Sequence, residues 1–319
     1  MVLLIPLIFY IVVILASIVL LFKAADLIVY GISNYAKKLG LSDAIIGLVV
    51  VAMAASLPEM IASVTGLAID EIDVTLGTII GTNMVHAALV VGLLSIIGKK
   101  MNLECEILDK SKLLIWALFV LPFILMSDGM LSRADGIILV AGFIAYITVL
   151  WKKEGTLGRM KKNVTFKTIY KDSIIFIGSL LALLIAGALL VFGGVRFANL
   201  LDIPAYFISL VVIGLGSAIP DLAVGLKSVF QKHQEIGIGD ILGSTMIEFL
   251  LFFGVVAIFH PLKIDVSNIL TAGIFLITSM TLLMYFLKKK VMTWKEGLIM
   301  VGIYLLFVVV EWWKVMGGY

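Results

Sequence analysis

Ten apolar runs, at about 3–22, 43–69, 75–97, 112–127, 134–151, 172–195, 204–230, 238–259, 267–287 and 293–313, fill most of the 319 residues. Each approaches the roughly 20 residues that a helix needs to cross a hydrocarbon layer about 30 Å thick. No water is available inside such a layer to satisfy backbone N–H and C=O groups, so a spanning segment must bond within itself. The runs therefore predict an all-α polytopic membrane protein with ten transmembrane helices. Composition agrees: 62% of residues are hydrophobic and 14% charged, against about 45–50% and 25% in soluble domains. A soluble enzyme and a singly anchored receptor are both excluded. The one cysteine, Cys105, allows no intrachain disulfide and no CxxC motif. The first run lacks a basic leader and a small-residue cleavage site, so a retained span is expected rather than a signal peptide.

Basic residues fix the expected orientation. The connections between runs 1 and 2, 3 and 4, 5 and 6, 7 and 8, and 9 and 10, with the span ends beside them, hold 20 of the 24 Lys and Arg. Only Arg133, Arg196, Lys263 and Lys314 lie on the other side. The positive-inside rule then places the central linker in the cytoplasm and both termini outside the cell membrane. The net charge of +3 is explained by lipid and orientation, not by nucleic acid. The longest polar interval, residues 152–171, separates a first unit, 1–151, from a second, 172–319, and is too short for a soluble domain.

The two units are copies of each other. Shifted by 162 residues, LSDAIIGLVVVAMAASLPEM at 41–60 meets IPAYFISLVVIGLGSAIPDL at 203–222, and TLGTIIGTNMVHAALVVG at 75–92 meets GIGDILGSTMIEFLLFFG at 237–254. Pro58 meets Pro220, Glu59 meets Asp221, and Gly81 meets Gly243. Chance pairs Leu with Val readily, but not a proline followed by an acid together with spaced glycines. Five spans per copy force the second to enter the membrane from the opposite side, giving inverted five-helix repeats. Such a pair offers two related packings of one scaffold, open to either side.

The copied segments carry the polar inventory. Proline inside AASLPEMIAS and GSAIPDLAVG removes an N–H and frees a carbonyl about one turn upstream, so both helices should kink or break. Glu59 and Asp221 cannot face lipid cheaply while ionised and are expected to point inward. Thr82 and His86 share a helix face, as do Ser244 and Glu248; Asn83 and Thr245 lie beside them. Ser56 falls on the face of Glu59, and Ser217 on that of Asp221. This donor set is mostly hard oxygen and suits calcium, sodium or magnesium better than copper. Two ionised acids neutralise a divalent ion; the third needs a proton, a second cation or a charged His86, which is how exchange can be built. Asp240, near the start of run 8, reads as a helix cap as readily as an ion-entry group. Asp26 and Glu311 read as boundary residues, and DEID at 70–73 as a solvated turn. Neither GxxxxGK[ST] nor a GxGxxG turn occurs, so ATP hydrolysis has no machinery.

With these motifs the chain resembles the calcium/cation antiporter superfamily, and most of all its prokaryotic sodium/calcium exchangers. SLPE at 56–59 and AIPD at 218–221 are similar to that family's proline-acid signatures, and GTNMVH at 81–86 and GSTMIE at 243–248 to its partner segments. The resemblance implies alternating access, with spans 1 and 6 sliding over a core that holds ions at the membrane midplane. It implies that Glu59 and Asp221 ligate calcium, with Ser56, Ser217, Thr82 and Ser244 at hydroxyl positions. Ala55 and Ala218 stand where the pattern has hydroxyls, Asp221 where it has Glu, His86 where it commonly has Asn, and Glu248 where it commonly has Asp. The expected function is secondary cation antiport, sodium against calcium, with proton-coupled calcium or other divalent-cation exchange as the alternative. No enzyme activity, organic cofactor or obligate protein partner is expected; the partners are membrane lipid and inorganic cations, and one chain suffices.

Overall fold

In the computed structural model the described residues are 4–39, 52–68, 72–103, 106–154, 166–201, 203–230 and 234–317. The chain is an all-α polytopic membrane protein. Among the described residues, five helices are long and apolar enough to cross a membrane by length and composition: Ile72–Gly98, Arg133–Leu150, Gly237–Phe259, Ile269–Lys289 and Trp294–Gly317. Shorter apolar helices run over Ile5–Leu20, Ile185–Leu200 and Tyr206–Ser217.

Helix bounds repeat at the spacing of the sequence repeat. Helix Leu4–Leu39 corresponds to Phe166–Leu200, Ala52–Ala55 to Gly214–Ser217, Leu57–Ala68 to Ile219–Phe230, and Ile72–Met84 to Gln234–Met246. Each start differs from its mate by 162, as in 166 − 4 and 219 − 57. The prolines act as expected: a turn residue, Ser56 or Ala218, separates the two pieces of each proline-bearing helix. Helices Ile72–Met84 and Gln234–Met246 each continue through one π-helical turn, Val85–Val90 and Ile247–Phe252 respectively. Such turns widen the helix by one residue and concentrate at functional sites.

Burial separates two classes of span. In the helices Ile72–Gly98 and Gly237–Phe259, 83% of the apolar window is buried, whereas Arg133–Leu150 and Trp294–Gly317 reach 22%. The first two form the centre and the others wrap it with their lipid-facing sides. Close approach in that centre is made by glycine. A Cβ on Gly81 would strike the Leu210 carbonyl, and one on Gly214 would meet the Gly81 carbonyl carbon at 2.8 Å. Small residues let apolar helices touch backbone to backbone where no hydrophobic force drives them together.

Two features depart from expectation. Helices Leu4–Leu39 and Phe166–Leu200 contain 36 and 35 residues, extending well past their apolar runs. At about 1.5 Å per residue each exceeds a bilayer core, so they tilt or project beyond it while packing on each other. Short strands, which periodicity gave no reason to expect, tie the connections together. Strand β1 (Lys100–Asn102) pairs antiparallel with β4 (Val291–Thr293), and β2 (Met130–Leu131) with β3 (Leu262–Lys263). Helix Arg133–Glu154 enters the expected linker and Phe166–Leu200 begins before its end; residues 155–165 lie outside the described residues.

Candidate ion-binding site

The broken helix Ala205–Phe230 and the helix Ile72–Gly98 cross where Gly81 and Gly214 meet, and polar side chains from both halves converge beside that crossing. Thr82 Oγ1 lies 2.8 Å from Ser217 Oγ, and Ser217 Oγ donates to the Gly214 carbonyl at 3.3 Å. One residue on, the Asn83 amide donates to Glu248 Oε2 at 2.6 Å and to the Ile79 carbonyl at 2.7 Å. His86 Nε2 stands 2.5 Å from Asp221 Oδ2. Three of these contacts, Thr82 with Ser217, Asn83 with Glu248 and His86 with Asp221, join the first half to the second. Their residues come from the π turns, the glycine-lined stretch before them and the two sides of the Ala218 break. Local helix irregularity is what aims them at one another.

The cluster is buried and short of partners. Ser56, Thr82, Asn83, His86, Ser244, Thr245 and Glu248 are 0% exposed, and Ser217 and Asp221 are 1% exposed. Glu248 Oε1, both Asp221 oxygens, Asn83 Oδ1, Ser56 Oγ and both His86 ring nitrogens lack a well-formed hydrogen bond. The Ser56 hydroxyl stands beside the Glu248 carboxylate without completing one. The His86 contact is close but poorly aligned. Buried polar atoms are ordinarily satisfied, so a concentration of orphans at one point marks a place that a ligand completes. The acceptors are carboxylate, amide and hydroxyl oxygens, the donor set of hard cations.

Other expected site residues fall elsewhere. Ser244 Oγ reaches the Ala52 carbonyl at 3.5 Å, the counterpart of Gly214. Thr245 donates to Ile241 on its own helix at 2.9 Å. Glu59 lies on the helix Leu57–Ala68, but its side chain is outside the described residues, as are those of Asp26, Pro58 and Pro220. Among the described residues no three of His, Cys, Asp and Glu converge as a metal cage. Hydroxyls and amides supply much of the cluster. Glu311, read from the sequence as a boundary residue, is 2% exposed and pairs with Lys314 at 3.2 Å.

Asp240 requires a correction. It sits six residues inside the helix Gln234–Met246 and is 0% exposed, too far along to cap an N-terminus. Among the described residues both its carboxylate oxygens are without partners, and it lies within electrostatic reach of Asp221 and Glu248. The spacing Asp240, Ser244, Glu248 places three oxygen-bearing side chains on one helix face and was the signal for it.

A family model described as sodium/calcium exchanger protein matches residues 9–152 and 172–313. The chain belongs to that family. It is therefore a secondary transporter for cation antiport and not an enzyme. The sodium/calcium exchanger MaX1 of Methanosarcina acetivorans is 26% identical over 341 aligned positions, covering 93% of this chain and 97% of its own. Among solved structures, the sodium-calcium exchanger NCX_Mj superposes with a TM-score of 0.72 at 24% identity, covering 95% of this chain and 99% of its own. An H+/Ca2+ exchanger, CAX, superposes with a TM-score of 0.77 at 14% identity, covering 95% of this chain and 85% of its own. At these identities the two structures show the fold of this family member; its ion site rests on its own residues.

Proposed function

We propose that this family member exchanges calcium for sodium across the cell membrane by alternating access. On this reading it has ten spans in two inverted five-helix repeats, 1–151 and 172–319. Residues 152–171 form a cytoplasmic linker, both termini lie outside, and one chain is sufficient. The strand pairings support the inversion. β1 and β3 follow corresponding helices yet belong to different sheets, and each pairs with the counterpart of the other's neighbour. Copies in the same orientation would put β1 and β3 on one side; inverted copies put β1 with β4 and β2 with β3.

The observation that carries the ion reading is the buried cluster that joins both halves through Thr82, Asn83, His86, Ser217, Asp221 and Glu248. A calcium ion would take carboxylate oxygens from Glu59, Asp221 and Glu248, with the carbonyls freed at the two helix breaks. Ser56, Ser217, Thr82, Asn83 and Ser244 would complete the shells of calcium and sodium, with Thr245 at the margin. The repeat offset takes His86 to Glu248 and Asp221 to Glu59. One cross-half pair thus sets a base against an acid, while the pair related to it by the repeat consists of two acids. On this reading Glu59 and Glu248 share one place, and two carboxylates there need a compensating cation. When the cation leaves, sodium must replace it, which couples the two fluxes. MaX1 bears the name of a sodium/calcium exchanger, in keeping with this choice of ions.

The contact of His86 with Asp221 favours a second reading, proton-coupled exchange of calcium or another divalent ion. A proton on the imidazole balances Asp221 without sodium. Calcium flux into proteoliposomes holding the purified protein, at clamped voltage, separates the two. Uptake driven by a sodium gradient alone is expected. Uptake driven by a pH gradient alone transfers coupling to His86 and the acids, and no uptake under either gradient removes calcium as the substrate.

A further inference from the structure

Asp240 is a buried acid that the cluster at the crossing does not use. Among the described residues no side-chain donor reaches it: both oxygens are orphaned, and the charged groups that act on it, Asp221 and Glu248, are themselves acids. Helix N–H groups around it are already bonded within Gln234–Met246, so the backbone offers no relief. An ionised carboxylate in this position is far too costly to persist unless a proton or a bound cation balances it.

Packing locates it along the helix. Gly237 lies against Gly225 and Ser228 of the helix Ile219–Phe230, at the end that leads to the connection between Phe230 and Gln234. Ser244, one turn beyond Asp240 in the other direction, reaches the Ala52 carbonyl at the break of the first proline-bearing helix. Asp240 therefore occupies the level between the crossing and that connection. Its counterpart in the first half is Thr78, also buried with an unpartnered hydroxyl but neutral. The extra charge belongs to one half alone, so it is not a requirement of the repeated scaffold.

We infer that Asp240 holds a sodium ion in a position of its own, between the crossing and the Phe230–Gln234 connection, with the Ser244 hydroxyl within its reach. One monovalent ion balances this one carboxylate and leaves Asp221 and Glu248 to the central cluster. This rests on the sodium-coupled reading above and adds to it a binding position outside the central cluster.

The test uses the purified full chain, with sodium binding counted by 23Na NMR and calcium binding followed by calorimetry in sodium-free buffer. Asp240→Asn keeps the shape of the side chain, and Asp240→Thr installs the residue that the first half carries at Thr78. Both variants should bind one sodium fewer than the parent and keep calcium affinity within about threefold. The sodium concentration that displaces calcium should rise about fivefold, the scale of an ordinary coupling between sites. Equal sodium counts in parent and variants overturn the inference, as does a parent that binds no sodium. Failure of the parent to move calcium would sink the exchange reading instead, because the sodium count at Asp240 is read directly from parent against variant.

Discussion

The two halves share a backbone plan and differ in the chemistry they hang on it. Along the inner helix of the first half, Thr78, Thr82 and His86 make a neutral or basic stripe; along that of the second, Asp240, Ser244 and Glu248 make an acidic one. Cross-half contacts follow the same asymmetry. Asn83 of the first half supplies Glu248 with a donor, whereas its counterpart Thr245 turns back to its own helix. Symmetric helices let the transporter present one site to either side, but symmetric charges would leave like carboxylates facing each other throughout. Placing a base in one half and acids in the other lets part of the charge balance be internal. The remainder is left to the transported ions.

The largest expected effect comes from breaking the internally balanced pair. Asp221→Asn should leave His86 without its acid and remove a calcium ligand, weakening calcium binding by about 100-fold, near the 3 kcal/mol lost when one partner of a buried pair is removed. Calorimetry on the purified variant measures it. Glu59→Gln tests the other acid, and undiminished calcium transport in that variant would remove Glu59 from the site. A smaller but more asymmetric effect is expected one turn away. Asn83→Ala strands Glu248 Oε2 and should cost about tenfold in calcium affinity, close to the 1.5 kcal/mol of a hydrogen bond to a charged group. Thr245→Ala, at the mate position, should change it less than about twofold. Equal losses in the two variants would mean that the halves contribute alike and that the observed donor geometry is not what matters.

His86→Asn sharpens the same comparison for coupling. Sodium-driven calcium uptake should persist within about threefold, since the amide still offers a donor to Asp221, while any component driven by a pH gradient should disappear. A variant that loses sodium-driven uptake and keeps the pH-driven component would reverse the preference between the two readings.

What was legible in the sequence was whatever the duplication wrote twice. Pro58 with Pro220 disclosed the two helix breaks, and the paired segments at 81–86 and 243–248 disclosed the residues that meet at the crossing. Partner choice was not legible, because Asn83 finding Glu248 rather than its own half depends on how the copies dock. The cap alternative for Asp240 fails because its helix starts at Gln234, ahead of the apolar run that begins near residue 238, and the glycines at 237 and 239 imitate a helix boundary. The π turns at Val85–Val90 and Ile247–Phe252 left no trace in a uniformly apolar pattern: one extra residue per turn cannot be seen where every face is greasy.

The finest test repairs an asymmetry instead of making one. At the break in the second half a chain of hydroxyls runs from Thr82 of the first half to Ser217 and on to the Gly214 carbonyl. In the first, the residue matching Ser217 is Ala55, and Ser244 must reach the Ala52 carbonyl unaided over 3.5 Å. A stretched bond of that length contributes little. Ala55→Ser supplies the absent intermediate, adding one hydroxyl where the other half shows that the backbone accommodates it. If the halves are equivalent here, the variant should gain about 0.5–1 kcal/mol in stability, the net worth of one buried hydrogen bond, read as a raised melting temperature in detergent. Sodium affinity should rise with it, because the new hydroxyl would add an oxygen at the break of the first proline-bearing helix. A lowered melting temperature would show that position 55 is packed against an apolar neighbour, so that the hydroxyl chain belongs to one half and Ala55 is part of what makes the two halves unequal.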